Sequence, residues 1–185
     1  MPAHTATLAR SVFFAGALLC NGVETTATSP QVSEKPAQGF LSAAPKAGTE
    51  TKHLTLTTSA SAATVAPGGR LTLFVHITPK PTMHVYSPEQ KDVIPVAIAL
   101  APNDAVRTGK TTFPKPEKYF FAPLQLTQLV YSKPFRLAQE VTISEAPAVK
   151  GQVTVKGTLR YQACDEAICY LPQNVPVEWT IAIGK

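Results

Sequence analysis

From residue 53 onward, apolar and polar positions alternate with a period of two. In "RLTLFVHIT" (70–78), Leu71, Leu73, Val75 and Ile77 share one face. In "IPVAIAL" (94–100) the same holds for Ile94, Val96, Ile98 and Leu100. "QVTVKGTLRYQA" (152–163) puts Val153, Val155, Leu159 and Tyr161 in phase, and "NVPVEWTIAI" (174–183) aligns Val175, Val177, Trp179, Ile181 and Ile183. Successive side chains on a strand point to opposite faces, so this alternation predicts antiparallel strands with one buried side. The breaks "APGG" (66–69), "TPKP" (78–81), "APND" (101–104) and "SKPF" (132–135) carry the residues that turns demand. Short strands at regular spacing predict an all-β fold, an immunoglobulin-like antiparallel β-sandwich. Trp179 belongs to its core. Pro176, in the opposite phase, marks an edge strand because it has no N–H to give to a ladder.

The first fifty residues lack this pattern. "MPAHTATLAR" contains Arg10 and no acid, and "SVFFAGALLC" follows as an apolar run too short to span a bilayer comfortably. "AGA" (15–17), within that run, and "TTA" (25–27), after it, both offer small residues for cleavage. Residues 1–27 therefore read as a secretory signal peptide, which places the mature chain where disulfides persist. Cys20 closes the apolar run as in a bacterial lipoprotein signal, but Leu19 stands where such signals want a small residue. Attachment to a membrane is expected only if Cys20 is lipidated. Residues 28–50, rich in Pro, Ala and Ser, read as a flexible leader, and the folded domain is expected over 51–185.

Composition narrows the function. The 185-residue chain has 17 prolines and a formal charge of +5, but its lysines are scattered, with no basic cluster or basic–aromatic ladder of the kind a nucleic-acid site needs. No nucleic-acid partner is expected. Of the three cysteines, the two beyond the signal lie in "YQACDEAICYLP" (161–172). This segment joins two strongly alternating strands, so it should form a hairpin or tight corner. Cross-strand neighbours have Cα atoms about 4.5–5.5 Å apart and a disulfide needs about 4.4–6.8 Å, so Cys164 and Cys169 can bond to each other. So small a loop gives only about 2 kcal/mol in the chain-entropy model. Unbroken alternation would also put Cys164 with Thr158, Arg160 and Gln162, away from the apolar face. A local, accessible disulfide is a poor staple and a good redox pair.

Two other readings stay open at this level. One is a non-catalytic binding or assembly module with a local structural disulfide. The other is a periplasmic metal-binding sandwich, in which the cysteines would need help from His53, His76 or His84, or copper would bind at Met83 and His84. No cofactor and no metal are expected in the favoured reading. Asp165 and Glu166 in the gap either hold thiol reactivity down by disfavouring a thiolate, or are ordinary turn residues.

"YQACDEAICYLP" closely resembles the active-site segment of the N-terminal periplasmic domain of the DsbD family of thiol:disulfide interchange proteins. "MHVYSPEQ" (83–90) resembles the family's segment that places aromatics beside the cysteines, and "FPKPEKYFFAPL" (113–124) the stretch leading into its cap loop. The matches span roughly residues 51–185, in the family's order. The resemblance implies an immunoglobulin-like sandwich that takes electrons from a membrane-embedded partner through a thioredoxin-like domain and reduces periplasmic thioredoxin-like proteins. It implies catalytic roles for both cysteines, with Cys169 as the exchanging thiol and Cys164 resolving the mixed disulfide. Phe120 or Phe121 would shield the pair from a cap loop, with Tyr86 and His84 nearby. Two departures stand out. Family members continue into a membrane bundle and a further domain, whereas this chain stops, so a separate membrane electron donor is expected. The gap is four residues where some members have five, which bears on the corner geometry. Tyr119, Phe120 and Phe121 could also be one more strand packing inward, although three consecutive aromatics cannot share a face. Lys115 and Lys118 serve either to dock an acidic partner or to solvate the loop.

Overall fold

The computed structural model describes residues 48–122, 125–146 and 151–184. The proposed signal peptide, Cys20 and nearly all of the leader lie outside the described residues.

The long alternating segments form the strands of two facing sheets. In the first, β1 (Thr49–Glu50), β2 (Leu54–Ala60), β4 (Arg70–Pro79), β10 (Phe135–Ile143) and β7 (Val106–Thr112) lie side by side in that order. In the second the order is β3 (Thr64–Val65), β13 (Gln173–Ile183), β11 (Gly151–Tyr161) and β6 (Ala97–Leu100). All pairings are antiparallel except the short β3–β13 contact. The inward positions are those read from the period of two. Leu71, Leu73, Val75 and Ile77 of β4 meet Val153, Val155, Leu159, Val175, Val177, Trp179 and Ile181 in one core. Trp179 Nε1 donates to the Phe74 carbonyl at 3.1 Å and Thr58 Oγ1 donates to the Glu178 carbonyl at 2.9 Å, so polar atoms reaching across the sandwich are paired. The fold is the all-β, immunoglobulin-like antiparallel sandwich that the alternation predicts.

Three local differences have physical causes. Only the second half of "IPVAIAL" is strand, because Pro95 has no N–H and the Val96 N–H is spent on the Tyr86 carbonyl, at 2.9 Å. Pro176 lies opposite Thr158 of β11, whereas β3 flanks β13 only at Ala182 and Ile183; the proline sits where the far side of β13 has no ladder partner. Ordered chain also precedes Thr51. Thr49 and Glu50 pair with Leu56 and Thr55, and Lys80 Nζ meets Glu50 Oε1 at 2.7 Å.

A third sheet carries the cysteines. Its strands are short: β12 (Ala163–Cys164), β5 (His84–Tyr86), β9 (Leu126–Tyr131) and β8 (Glu117–Phe121), in that order. One face, with Ala163, Val85 and Tyr131, joins the main core. The opposite face gathers Cys164, Tyr86 and Val130 into a second, small cluster, against which Val93 and Tyr119 pack. This corrects one expectation. Cys164 does point away from the main core, as its phase requires, but it is not accessible: it is 1% exposed. After Tyr161 the chain leaves the β11 ladder and enters the third sheet, whose outer face is covered by aromatics rather than by water.

Candidate functional site

The site is a tight hairpin laid on this small cluster. Cys164 and Cys169 form a disulfide with Cα atoms 4.0 Å apart, and they pair as an isolated antiparallel bridge. The two sulfur-bearing residues differ in setting. Cys164 is buried beside Tyr86 and Val130, while Cys169 is exposed at the end of the turn. The Tyr86 hydroxyl stands 3.4 Å from each sulfur. In the disulfide neither sulfur carries a proton, so the hydroxyl is the donor. Gln128 Nε2 donates to the same oxygen at 3.3 Å, and burial pushes the Tyr86 hydroxyl above its usual pKa, so it keeps its proton.

His84 lies directly across the ladder from Cys164. Its ring is 4.6 Å from that of Tyr119 and 5.9 Å, edge-on, from that of Tyr86. Nε2 is buried without a hydrogen-bond partner. Burial lowers the His84 pKa, the Asp165 carboxylate opposing this, so the ring is neutral near pH 7.

In the aromatic triplet, alternation along β8 separates the side chains. Tyr119 shares a face with Phe121 and packs against the Cys164 cluster, whereas Phe120 points the other way and is 56% exposed. Tyr119 is thus the ring of the triplet that reaches the site cluster, which the resemblance assigned to Phe120 or Phe121.

The turn has its own bracing. Asp165 Oδ1 accepts from the Ala167 and Ile168 amides, each at 2.8 Å, and Oδ2 accepts from the Tyr170 hydroxyl at 2.8 Å. These bonds hold its carboxyl below the usual carboxylate range. The Asp165 amide donates to the Ile168 carbonyl at 2.9 Å and the Tyr170 amide to the Ala163 carbonyl at 2.8 Å. Asp165 is therefore built into the turn. Glu166 is exposed.

The histidines weighed as ligands are dispersed. His53 packs against Tyr170 with the rings tilted and 4.6 Å apart, His76 Nε2 pairs with Ser59 Oγ at 2.8 Å, and His84 sits among tyrosines. Among the described residues, no three His, Cys, Asp or Glu side chains gather as metal ligands would. Gln128 and Tyr170 had no part in the sequence reading of the site. For Tyr170 a signal existed, since it follows Cys169 and Asp165 opens a turn type in which a carboxylate caps amides two and three residues on.

The family model described as "Thiol:disulfide interchange protein DsbD, N-terminal" matches residues 51–179 and takes in both cysteines. The chain belongs to this family. It is a thiol–disulfide interchange domain of the DsbD N-terminal kind, with the Cys164–Cys169 disulfide at its site. Among solved structures it is similar to the N-terminal periplasmic domain of ScsB from Proteus mirabilis, with a TM-score of 0.46 and 10% identity over 77% of this chain and 50% of that one. It is also similar to the Neisseria meningitidis DsbD N-terminal domain in the reduced form, with a TM-score of 0.39 and 22% identity over 60% of this chain and 82% of that one. The chain thus spans half the length of the ScsB domain, and the family assignment rests on the match over 51–179. A comparison with curated proteins found no match.

Proposed function

We propose that this DsbD N-terminal domain relays reducing equivalents between proteins by dithiol–disulfide exchange at Cys164 and Cys169, outside the cytoplasm. The observation that carries the reading is the asymmetry of the pair: Cys169 is exposed, and Cys164 is buried against the Tyr86 hydroxyl. An incoming thiolate reaches Cys169 Sγ, and Cys164 is the sulfur that leaves. The Tyr86 hydroxyl, 3.4 Å from both sulfurs, is in reach to stabilise the Cys164 thiolate as it forms. In the reducing direction Cys169 attacks a partner disulfide and Cys164 resolves the mixed disulfide. Both cysteines are catalytic in this reading, and Tyr86, His84 and Tyr119 shield them, while Phe120, on the other face of β8, is left open to a partner.

The partners are thioredoxin-like periplasmic proteins and a membrane electron donor. Surface chemistry supports protein docking at the site. The large apolar side chains exposed among the described residues, Phe120, Leu126, Ile168 and Leu171, all lie in the β8–β9 hairpin or in and beside the cysteine turn. Residues 1–27 serve as the signal peptide, and the leader that follows gives way to the redox domain at β1, just ahead of the boundary expected at Thr51.

A Cys164→Ala variant should accumulate mixed disulfides through Cys169 with thioredoxin-like proteins in a native extract, whereas Cys169→Ala should not. Equal trapping by the two variants, or a wild-type potential below about −300 mV, would favour a structural bridge instead.

A further inference from the structure

Resolving a mixed disulfide requires Cys164 to find Cys169 again once no covalent bond joins them. In this hairpin, bonds other than the disulfide also hold the register. Backbone bonds close the turn on both sides of the pair, from Asp165 N–H to the Ile168 carbonyl and from Tyr170 N–H to the Ala163 carbonyl. The Asp165 carboxylate spans the turn between them, holding the Ala167 and Ile168 amides with one oxygen and the Tyr170 hydroxyl with the other. Tyr170 is itself fixed from outside the hairpin. Its ring lies 4.6 Å from that of His53 and 4.9 Å from Lys52 Nζ, both in the segment that enters β2, and its carbonyl accepts from Gln162 Nε2 at 3.0 Å. The exposed cysteine is thus flanked by a braced turn and an anchored tyrosine.

We propose that Asp165 and Tyr170 are positioning residues that hold the two thiols in register in the dithiol and mixed-disulfide forms, and so set the rate at which Cys164 displaces a partner from Cys169. The inference rests on the exchange reading above. Its physical basis is preorganisation: two groups kept in near-attack geometry react at a high effective concentration, and freeing one of them lowers it. Neither Asp165 nor Tyr170 exchanges electrons. Both act through the cysteines.

The test uses the reduced protein and an aromatic disulfide probe, dithiobis(nitrobenzoate). In the first step, Cys169 thiolate attacks one probe sulfur, the probe S–S bond breaks, and one nitrothiobenzoate thiolate leaves. In the second, Cys164 gives its proton to water and attacks Cys169 Sγ. The mixed S–S bond breaks, the second thiolate leaves, and the Cys164–Cys169 bond forms. Two electrons and no atoms of the protein other than two protons are lost, and the probe gains the two electrons. The first step is second-order and the second first-order, so coloured thiolate release separates them.

Asp165→Ala should slow the second step about tenfold and Tyr170→Phe about threefold, with the first step changed less than about twofold. Asp165→Asn removes the same charge as Asp165→Ala but keeps an acceptor oxygen, so it should fall between Ala and wild type. Charge alone would make the two equal. The equilibrium against dithiothreitol should shift about tenfold toward the dithiol in Asp165→Ala, which corresponds to about 30 mV. Tyr170→Phe keeps the ring on His53 and guards against a folding defect. A second step within about twofold of wild type in Asp165→Ala, or equal slowing of both steps, overturns the positioning role while leaving exchange intact. Wild-type protein that releases one thiolate and no second would overturn the exchange reading and the positioning role with it.

Discussion

The two-sheet sandwich and the small cysteine sheet are built from the same kind of alternating sequence and differ in what they bury. The sandwich pairs long strands, with eleven residues of β11 in register with β13, and fills its interior mostly with aliphatic side chains, together with Trp179 and Tyr161. The cysteine sheet is made of strands two to six residues long. Its outer cluster contains two aromatics, two valines and one cysteine, and it carries the exposed apolar side chains. Stability scales with apolar area removed from water, so the sandwich should hold the fold. The cysteine sheet, anchored to it through Ala163, Val85 and Tyr131, is free to keep polar and apolar groups at the surface for a partner.

The sharpest way to break this comparison is in the core. Leu159 is fully buried in β11. Leu159→Ala should cost about 2–5 kcal/mol in denaturant unfolding, with the rate of disulfide exchange in the folded protein unchanged. An exchange rate that fell with stability would mean that the two regions are not separable.

Reducing the disulfide comes next. The bond joins residues five apart, so its loss should lower stability by about 2 kcal/mol and leave the far-ultraviolet spectrum native. A much larger loss would make the bond a staple of the whole fold.

The aromatic run then tests the cysteine sheet from within. Tyr119→Ala removes a ring packed on His84 and the Cys164 cluster and should speed reduction by glutathione several-fold. Phe120→Ala removes an exposed ring and should change stability by less than about 0.5 kcal/mol. Faster reduction in Phe120→Ala than in Tyr119→Ala would restore Phe120 as the shield and displace Tyr119.

The smallest effect expected is on pH dependence. Burial, the first cause at each site, lowers the pKa of His53, His76 and His84 below the usual 6.5. The unfolded chain therefore takes up these protons first. Stability should be complete above about pH 6.5 and should decline as pH falls below it, because folding then requires the histidines to shed protons. Urea midpoints measured from pH 7.5 to 5 should show the decline, and His84→Phe should flatten the share that belongs to the cysteine sheet. A midpoint that rises on acidification would reverse the sign and refute this assignment.

The sequence by itself determined the sandwich. Alternation at β4, β11 and β13 needs only the period of a strand and one dry face, and both are local properties. It also made the cysteine pair legible, because two cysteines five residues apart at a tight corner between strands lie within bonding reach, although the metal reading stayed open beside it. The direction of Cys164 was legible too, since parity from Tyr161 fixes it. What covers that side was not. Strands as short as β5, β8 and β12 have too few positions to declare a face, and the cover over Cys164 comes from Tyr86, Val130 and Tyr119, each distant along the chain. Only the tertiary structure decided that Cys164 is buried and Cys169 open, that Tyr119 lies toward the site cluster and Phe120 away from it, and that the acid in the gap is a brace. Burial depends on what packs over a side chain. That is settled when segments far apart in sequence meet, and strand periodicity carries no information about the meeting.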